Sequence, residues 1–257
     1  MPLMSQILYA AGTLVDRIKI NAVSRECRAG RALWIKRRRW TARPIMVCAN
    51  RFFRLAGNPV QALDDLAMWQ RWEVDCFLRL HGERFLAFAD GACAVAAEEV
   101  PGESLSHHLN AGTLTPRMLE AAGLELRRAH SAECAAFRGP WSHGDPHAGN
   151  FVYDAAADRA RLIDFELMHD PTVCADERHA DDLLVLLQDM LGRIAAEHWL
   201  PNAHAFLAGY GRPEIVARLR KMLVMPRGLP RVWWAVRTTY LQSTELERRI
   251  VALRDSI

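Results

Sequence analysis

The residues best able to do chemistry stand together in His143-Gly144-Asp145-Pro146-His147-Ala148-Gly149-Asn150, followed by Leu162-Ile163-Asp164-Phe165-Glu166. Asp145 and Asn150 are five positions apart (150 − 145), and Asp164 follows Asp145 by nineteen (164 − 145), at the end of an apolar stretch. A loop carboxylate, an amide one short turn later and a strand-end carboxylate are the groups that phosphoryl transfer requires. One carboxylate orients and deprotonates an acceptor hydroxyl. Hard oxygen ligands hold a divalent cation against the phosphates, and a cationic side chain steadies the α/β-phosphates. His-Gly-Asp alone is as readily a turn; the added Asn150 and the strand-borne Asp164 separate the two readings.

These groups need elements to position them. INAVSREC and RALWIKR flank Arg28-Ala29-Gly30 and read as a hairpin. Apolar spacing predicts helices over 3–17 and 44–56, the second stopped by Gly57-Asn58-Pro59. Residues 61–80 keep a strong helical period up to Gly82, a C-cap signal. FLAFA and CAVAAEEV read as strands joined at Asp90-Gly91, and Pro101-Gly102 then breaks the chain. Beyond it the pattern predicts helices over 116–132 and 177–191, two more near 203–225 and 230–254, a loop over 141–154 and a strand over 160–165. The expected class is α+β and two-lobed. Residues 1–100 form a small strand-rich lobe with one main helix, and residues 101–257 form a mainly helical lobe.

Composition narrows the function classes. The 257 residues are 51% hydrophobic and 25% charged, which excludes a disordered chain. Lys and Arg number 33 against 30 Asp and Glu, a net charge of +3, too mild for a nucleic-acid partner to be expected. The six cysteines form no CxxC pair, so they read as reduced thiols of a cytoplasmic protein rather than a zinc or redox centre. Neither a membrane span nor a secretory signal is expected. Basic residues cluster at Lys36-Arg37-Arg38-Arg39 with Arg43, Arg51 and Arg54, interleaved with Trp40, Phe52 and Phe53. This segment is either a solvated face or a surface that meets an anionic membrane or substrate.

The loop and the Ile-Asp-Phe triplet resemble the kinase-like phosphotransferases: aminoglycoside phosphotransferases, choline kinases, ubiquinone-biosynthesis atypical kinases and bacterial lipopolysaccharide core kinases. The resemblance spans roughly residues 20–190 and is specific in the loop. It implies a two-lobed protein-kinase-like fold that uses ATP and Mg²⁺. In it Asp145 is the base for the acceptor hydroxyl, and Asn150 and Asp164 hold Mg²⁺. His147 contacts the γ-phosphate or supports the loop, and His143 braces the backbone. The resemblance further implies a strand-borne lysine, met by Lys36 after Ala32-Leu33-Trp34-Ile35, and a helical carboxylate partner, met by Glu73. Glu98-Glu99-Val100-Pro101-Gly102 takes the place of the hinge, where backbone groups of Glu98 and Val100 would bind adenine.

Bland readings stand beside these. Lys36 could simply begin the basic run, Glu73 could be an ordinary exposed helical glutamate near Asp65 and Asp75, and Asp181-Asp182 reads as a helix cap or a brace for the loop rather than a metal site. Two departures from the family pattern stand out. Glu166 replaces the glycine of Asp-Phe-Gly, and no glycine-rich nucleotide loop is found, Gly12 being alone and Gly30 in the wrong turn. The short stretch between Asp164 and Glu177, with no Ala-Pro-Glu, argues against a phosphorylation-controlled loop.

From Glu98 to Asp145 is only 47 residues (145 − 98), a compact spacing that resembles the lipopolysaccharide core kinases. The first expectation is therefore a kinase acting on a hydroxyl of a sugar or lipid-linked saccharide, cytoplasmic or peripheral at the inner membrane face of a bacterium. The alternatives are a small-molecule kinase of aminoglycoside or choline type, an atypical protein kinase, and a non-catalytic nucleotide-binding pseudokinase.

Overall fold

Two β-prone runs separated by two residues form the first hairpin of the computed structural model, which describes residues 20–239 and 241–257. The helix expected over 3–17, and Gly12 with it, lies outside those residues. Strands β1 (Asn21–Arg28) and β2 (Arg31–Arg38) pair antiparallel. Both turn residues have positive φ, 51° at Ala29 and 77° at Gly30, the geometry that matches the right-handed twist of a tight hairpin. Helix α1 (Ala42–Leu55) and strand β3 (Val60–Ala62) follow. The Asn50 amide brackets Ala62, donating to its carbonyl and accepting its N–H, and so fastens the strand to the helix.

The long helical period resolves as α2 (Leu66–His81). It starts five residues later than the periodicity alone predicts, because residues 60–62 pair with Leu167–His169 and Asp65 caps the helix by accepting the Met68 N–H. Trp69, Trp72, Cys76, Phe77 and Leu80 form its buried stripe. Strands β4 (Ala87–Ala89) and β5 (Ala94–Glu98) complete a four-stranded antiparallel sheet in the order β1-β2-β5-β4.

The second lobe is mainly helical. Strand β6 (Glu103–Ser104) leads into α3 (Leu105–Ala111) and α4 (Pro116–His130), and a minor pair, β7 (Glu133–Cys134) and β8 (Gly139–Pro140), precedes the polar loop. That loop ends in β9 (Phe151–Asp154), a strand where the sequence suggests continued loop, because Phe151 and Val152 bury and pair with β10 (Arg159–Leu162). β11 (Leu167–His169) is the partner of β3. Helices α5 (Ala175–Arg193), α6 (Ala196–Tyr210), α7 (Pro213–Met222), α8 (Leu229–Arg237) and α9 (Ser243–Ser256) close the chain. The single helix expected near 203–225 is two, since Gly211 at φ 61° caps α6 and Pro213 opens α7. One continuous core joins Trp69 and Phe77 of α2 to Leu126 of α4, Leu183 of α5 and Phe206 of α6.

Helices α4 and α6 approach until backbone meets backbone. A Cβ on Gly123 would lie 2.2 Å from the Phe206 carbonyl oxygen, and one on Gly209 would lie 2.2 Å from that of Glu120. Helix propensity favours Ala over Gly by about 1 kcal/mol, but neither backbone can yield. Gly123→Ala is therefore expected to destabilise the protein by about 1–3 kcal/mol, read as a lower denaturant midpoint with unchanged slope.

Candidate active site

Lys36 lies on the β2 face that looks toward α2. Its Nζ is 2.5 Å from Glu73 Oε1, 2.7 Å from Asp164 Oδ1 and 3.3 Å from Glu166 Oε1. The structure thus brings Lys36, Glu73 and Asp164, 128 residues apart in sequence, onto one ammonium group. The Lys36 and Glu73 side chains are only 14% and 8% exposed. Burial works against the ammonium charge, but Asp164, Glu73 and Glu166 together hold the Lys36 pKa above its ordinary value. Asp164 keeps 38% of its side chain exposed, so burial opposes its charge only in part, and Lys36 holds its carboxyl below the usual range. Glu166 differs: burial, then the negative charge of Asp164, pushes its pKa up to about 7.

The backbone at Asp164 is left-handed, with φ 65°, a conformation that Asp tolerates better than most residues. It follows β10 directly, and the next N–H, that of Phe165, donates to Glu73 Oε1 at 3.3 Å. The Asn21 amide donates to Glu166 Oε1, tying β1 to the same cluster.

The loop carrying Asp145 hangs from α5. Asp182, buried, accepts from the N–H groups of His143 (2.7 Å) and Gly144 (2.8 Å) and from the His130 ring at 2.9 Å. Burial pushes this carboxyl up, yet His169 and His130 pull it far below the ordinary range, so it stays ionised. Two helix turns further on, Asp189 accepts the Ala148 N–H at 2.9 Å. Burial lowers the His143 pKa and keeps the ring neutral. Its Nε2 lies 3.1 Å from the Ile163 carbonyl and its Nδ1 accepts the Asp145 N–H at 3.3 Å, which fits the tautomer with the proton on Nε2. His147 caps the following short turn, its Nδ1 accepting the Gly149 N–H at 3.0 Å.

The Asn150 amide donates to the Asp145 carbonyl at 2.9 Å, leaving its Oδ1 without a hydrogen-bond donor among the described residues. Its carbonyl accepts the Ile163 N–H at 2.9 Å, so Asn150 and Asp164 sit side by side at the start of β9 and the end of β10. The Asp145 side chain is 34% exposed, and its nearest cation is Arg237 of α8, with Nη2 at 3.6 Å from Oδ1. Spacing gives no hint of Arg237, 92 positions away, nor of the bond between Asn21 and Glu166; both depend on tertiary packing.

A cleft of about 460 Å³ opens between the lobes. Val23 and Val95 line it from the sheet, Val152 and Ile163 from the helical lobe, and Glu98, Glu99 and Val100 from the connection between them. Lys36, Glu73 and Asp164 also face it; Asp145 and Arg237 do not. The Glu98 N–H is spent on the Leu86 carbonyl at 2.8 Å, so only the Glu98 carbonyl can turn toward a ligand.

The donor set fits a magnesium ion. Three carboxylates surround one ammonium, an excess of negative charge that a divalent cation relieves, and Asp164 with Asn150 Oδ1 offers two hard oxygens. Mg²⁺ typically takes few protein ligands and completes its shell with water and phosphate.

Glu166 makes stability depend on pH. Between its ordinary pKa of 4.5 and about 7, the unfolded chain releases this proton while the folded protein keeps it, so stability falls as pH rises through that window. Glu166→Gln is expected to raise the melting temperature of the ligand-free protein at pH 8, by up to about 3 kcal/mol of stability, and to change little at pH 5.

No protein-family model matches this sequence, and no curated protein is significantly similar to it. Solved structures similar to it include ethanolamine kinase from Plasmodium vivax, at 8% identity and TM-score 0.49, covering 99% of this chain and 86% of that one. An ADP-bound aminoglycoside phosphotransferase is similar at 12% identity and TM-score 0.40, over 100% and 98% of the two chains. Vaccinia related kinase 3 is similar at 14% identity and TM-score 0.37, over 98% and 96%. The chain's own sheet, its helical lobe, and the lysine, glutamate and aspartate they bring to one cleft make this the two-lobed kinase-like fold.

Proposed function

We propose that the protein is an ATP- and Mg²⁺-dependent kinase that moves the γ-phosphate to a hydroxyl of a sugar or lipid-linked saccharide. The observation carrying this reading is the convergence of Lys36, Glu73 and Asp164 on a cleft beside a loop that presents Asp145 and Asn150. Residues 1–100 act as the nucleotide lobe and residues 101–257 as the catalytic and acceptor lobe. The adenine sits against the Glu98 carbonyl and the Val100 N–H, between apolar walls. Glu73 aims the Lys36 ammonium at the α/β-phosphates. Asn150 and Asp164 hold the Mg²⁺, which when bound neutralises charge on the phosphate oxygens. Asp145 orients the acceptor hydroxyl and takes its proton as the new O–P bond forms and the bond to ADP breaks. His147 supports the loop through its contact with Gly149.

A lipid-linked acceptor is favoured by the start of α1. Trp40 is 91% exposed, with Arg37, Arg39 and Arg43 exposed around it. An exposed indole with exposed arginines nearby in sequence suits an anionic membrane surface. Arg38, by contrast, turns inward and stacks on Trp69 at 4.2 Å, so the basic run is not one solvated face. Across its 14 residues α1 spans ~20 Å, from this patch to the aromatic contact of Phe53 with Trp233, 5.1 Å between ring centres. Among the described residues no helix is long and apolar enough to cross a membrane; peripheral contact at the inner face is the arrangement we propose.

Radiolabelled ATP offered with glycolipid, small-molecule and protein fractions is expected to label the glycolipid fraction. Asp145→Asn is expected to lower that rate by ~10²–10⁴-fold, with ATP affinity within a few-fold of wild type; an unchanged rate refutes the base. Trp40→Ala combined with Arg39→Glu and Arg43→Glu is expected to reduce co-sedimentation with anionic vesicles, each basic residue counting for about 1 kcal/mol. Equal sedimentation removes the membrane contact.

A further inference from the structure

Arg237 is at odds with every other deeply buried arginine of the helical lobe. Its side chain is 9% exposed, yet its guanidinium donates no hydrogen bond to any described residue, and Nη2 is fully buried without a partner. Arg249, equally buried, donates to the Leu191 and Ile194 carbonyls and to Glu245. Arg178 donates to Ser142 and to the carbonyls of Val173 and Pro140. Those two cations are each tied down by three hydrogen bonds within the lobe. A guanidinium carries five donors and stays charged, so leaving it buried and unbonded is costly unless something else completes it.

Its place in the fold says what that is. The guanidinium carbon lies 4.7 Å above the Trp233 ring, and Trp233 is wedged edge-on against Phe53 and Phe52 of α1. The cation is therefore held in position by stacking while it makes no hydrogen bond to the described residues. It points at Asp145, the one carboxylate within 4 Å among the described residues, at a separation of 3.6 Å, too long for a hydrogen bond. It does not line the nucleotide cleft, whereas Lys36 does. It thus stands beside Asp145 outside that cleft, where an acceptor that reaches Asp145 can meet it.

We propose that Arg237 binds an anionic group of the acceptor, a phosphate or a carboxylate carried close to the hydroxyl that Asp145 activates. The inference rests on the phosphotransferase reading and narrows its substrate class: acceptors bearing anionic oxygens fit, and amines are repelled. The planar fork suits either anion, since both offer two oxygens for paired donors. Arg237 is a specificity residue here, and it takes no part in proton transfer.

The test uses full-length protein loaded with Mg²⁺ and the non-hydrolysable analogue AMP-PNP. Four probes that share a small hydroxyl scaffold are titrated by calorimetry or NMR: glycerol, glycerol 3-phosphate, glycerate and ethanolamine. The two anions are expected to bind at least tenfold more tightly than glycerol, and ethanolamine no more tightly than glycerol. Arg237→Met is expected to bring both anions down to the level of glycerol, and Arg237→Lys to restore part of the preference. Equal binding of the four probes, including none at all, overturns the proposal, as does a preference that survives in Arg237→Met. Should Arg237→Met fail to fold, the wild-type ranking and Arg237→Lys still decide. The ratio of the two anions tells phosphate from carboxylate. Titration of AMP-PNP reports separately on the parent reading: without nucleotide binding that reading falls, while the anion preference is still measured on the free protein.

Discussion

A single desolvated ammonium organises this molecule. Lys36 leaves the sheet, Glu73 leaves α2, and Asp164 and Glu166 leave the segment after β10, and each finds its counter-charge in the same few ångströms. No one of these groups is comfortable there alone. A buried carboxylate without its cation, or the cation without its carboxylates, costs several kcal/mol, of order 3–5 for a broken buried pair. The cluster therefore ties the lobes into one register and leaves a surplus of negative charge at the cleft. That surplus adds to burial in pushing the Glu166 pKa up to about 7.

The second constraint is the anchoring of the polar loop. Backbone N–H groups of His143, Gly144 and Ala148 would otherwise be buried without acceptors; α5 supplies Asp182 and Asp189 for them. His143 then reaches from the loop to the Ile163 carbonyl, so the carboxylate-bearing loop and the strand end before Asp164 are braced by one neutral ring. Geometry at Asp145 is set by backbone contacts inherited from a helix nearly forty residues away, and the Asp145 carboxylate itself meets only the Arg237 guanidinium, at 3.6 Å, among the described residues. An anchoring of this kind fixes the backbone of the loop through main-chain groups alone.

What could be read from the chain follows from how local each signal is. Asp145 and Asn150 are legible because one short turn joins them, and Lys36 because an apolar strand must precede it. Glu73 is legible by helical phase, sharing the inner stripe with Trp69, Trp72 and Phe77. Gln61 and Ala62 read as the start of α2 because their strand partners are more than a hundred residues downstream. Glu166 reads as a lost glycine; only folding reveals that it joins the shell of Lys36. Arg38 reads as one more solvated charge and instead stacks on Trp69. Arg237 carries no signal at all, since its meaning comes from the loop it faces.

The β3–β11 ladder has an effect on how the protein can breathe. Val60, Gln61 and Ala62 are laced to His169, Met168 and Leu167, and the Asp170 N–H binds the Pro59 carbonyl at 2.7 Å. These bonds run from the insert beside the sheet to the stretch that follows Asp164, and the Phe53–Trp233 contact adds a rivet between α1 and α8. Wide gaping of the cleft would have to unzip that ladder. Ligand exchange is thus confined to the mouth of a cleft whose jaws are stitched at the side, and the stretch after Asp164 is too tightly sewn to serve as a swinging gate.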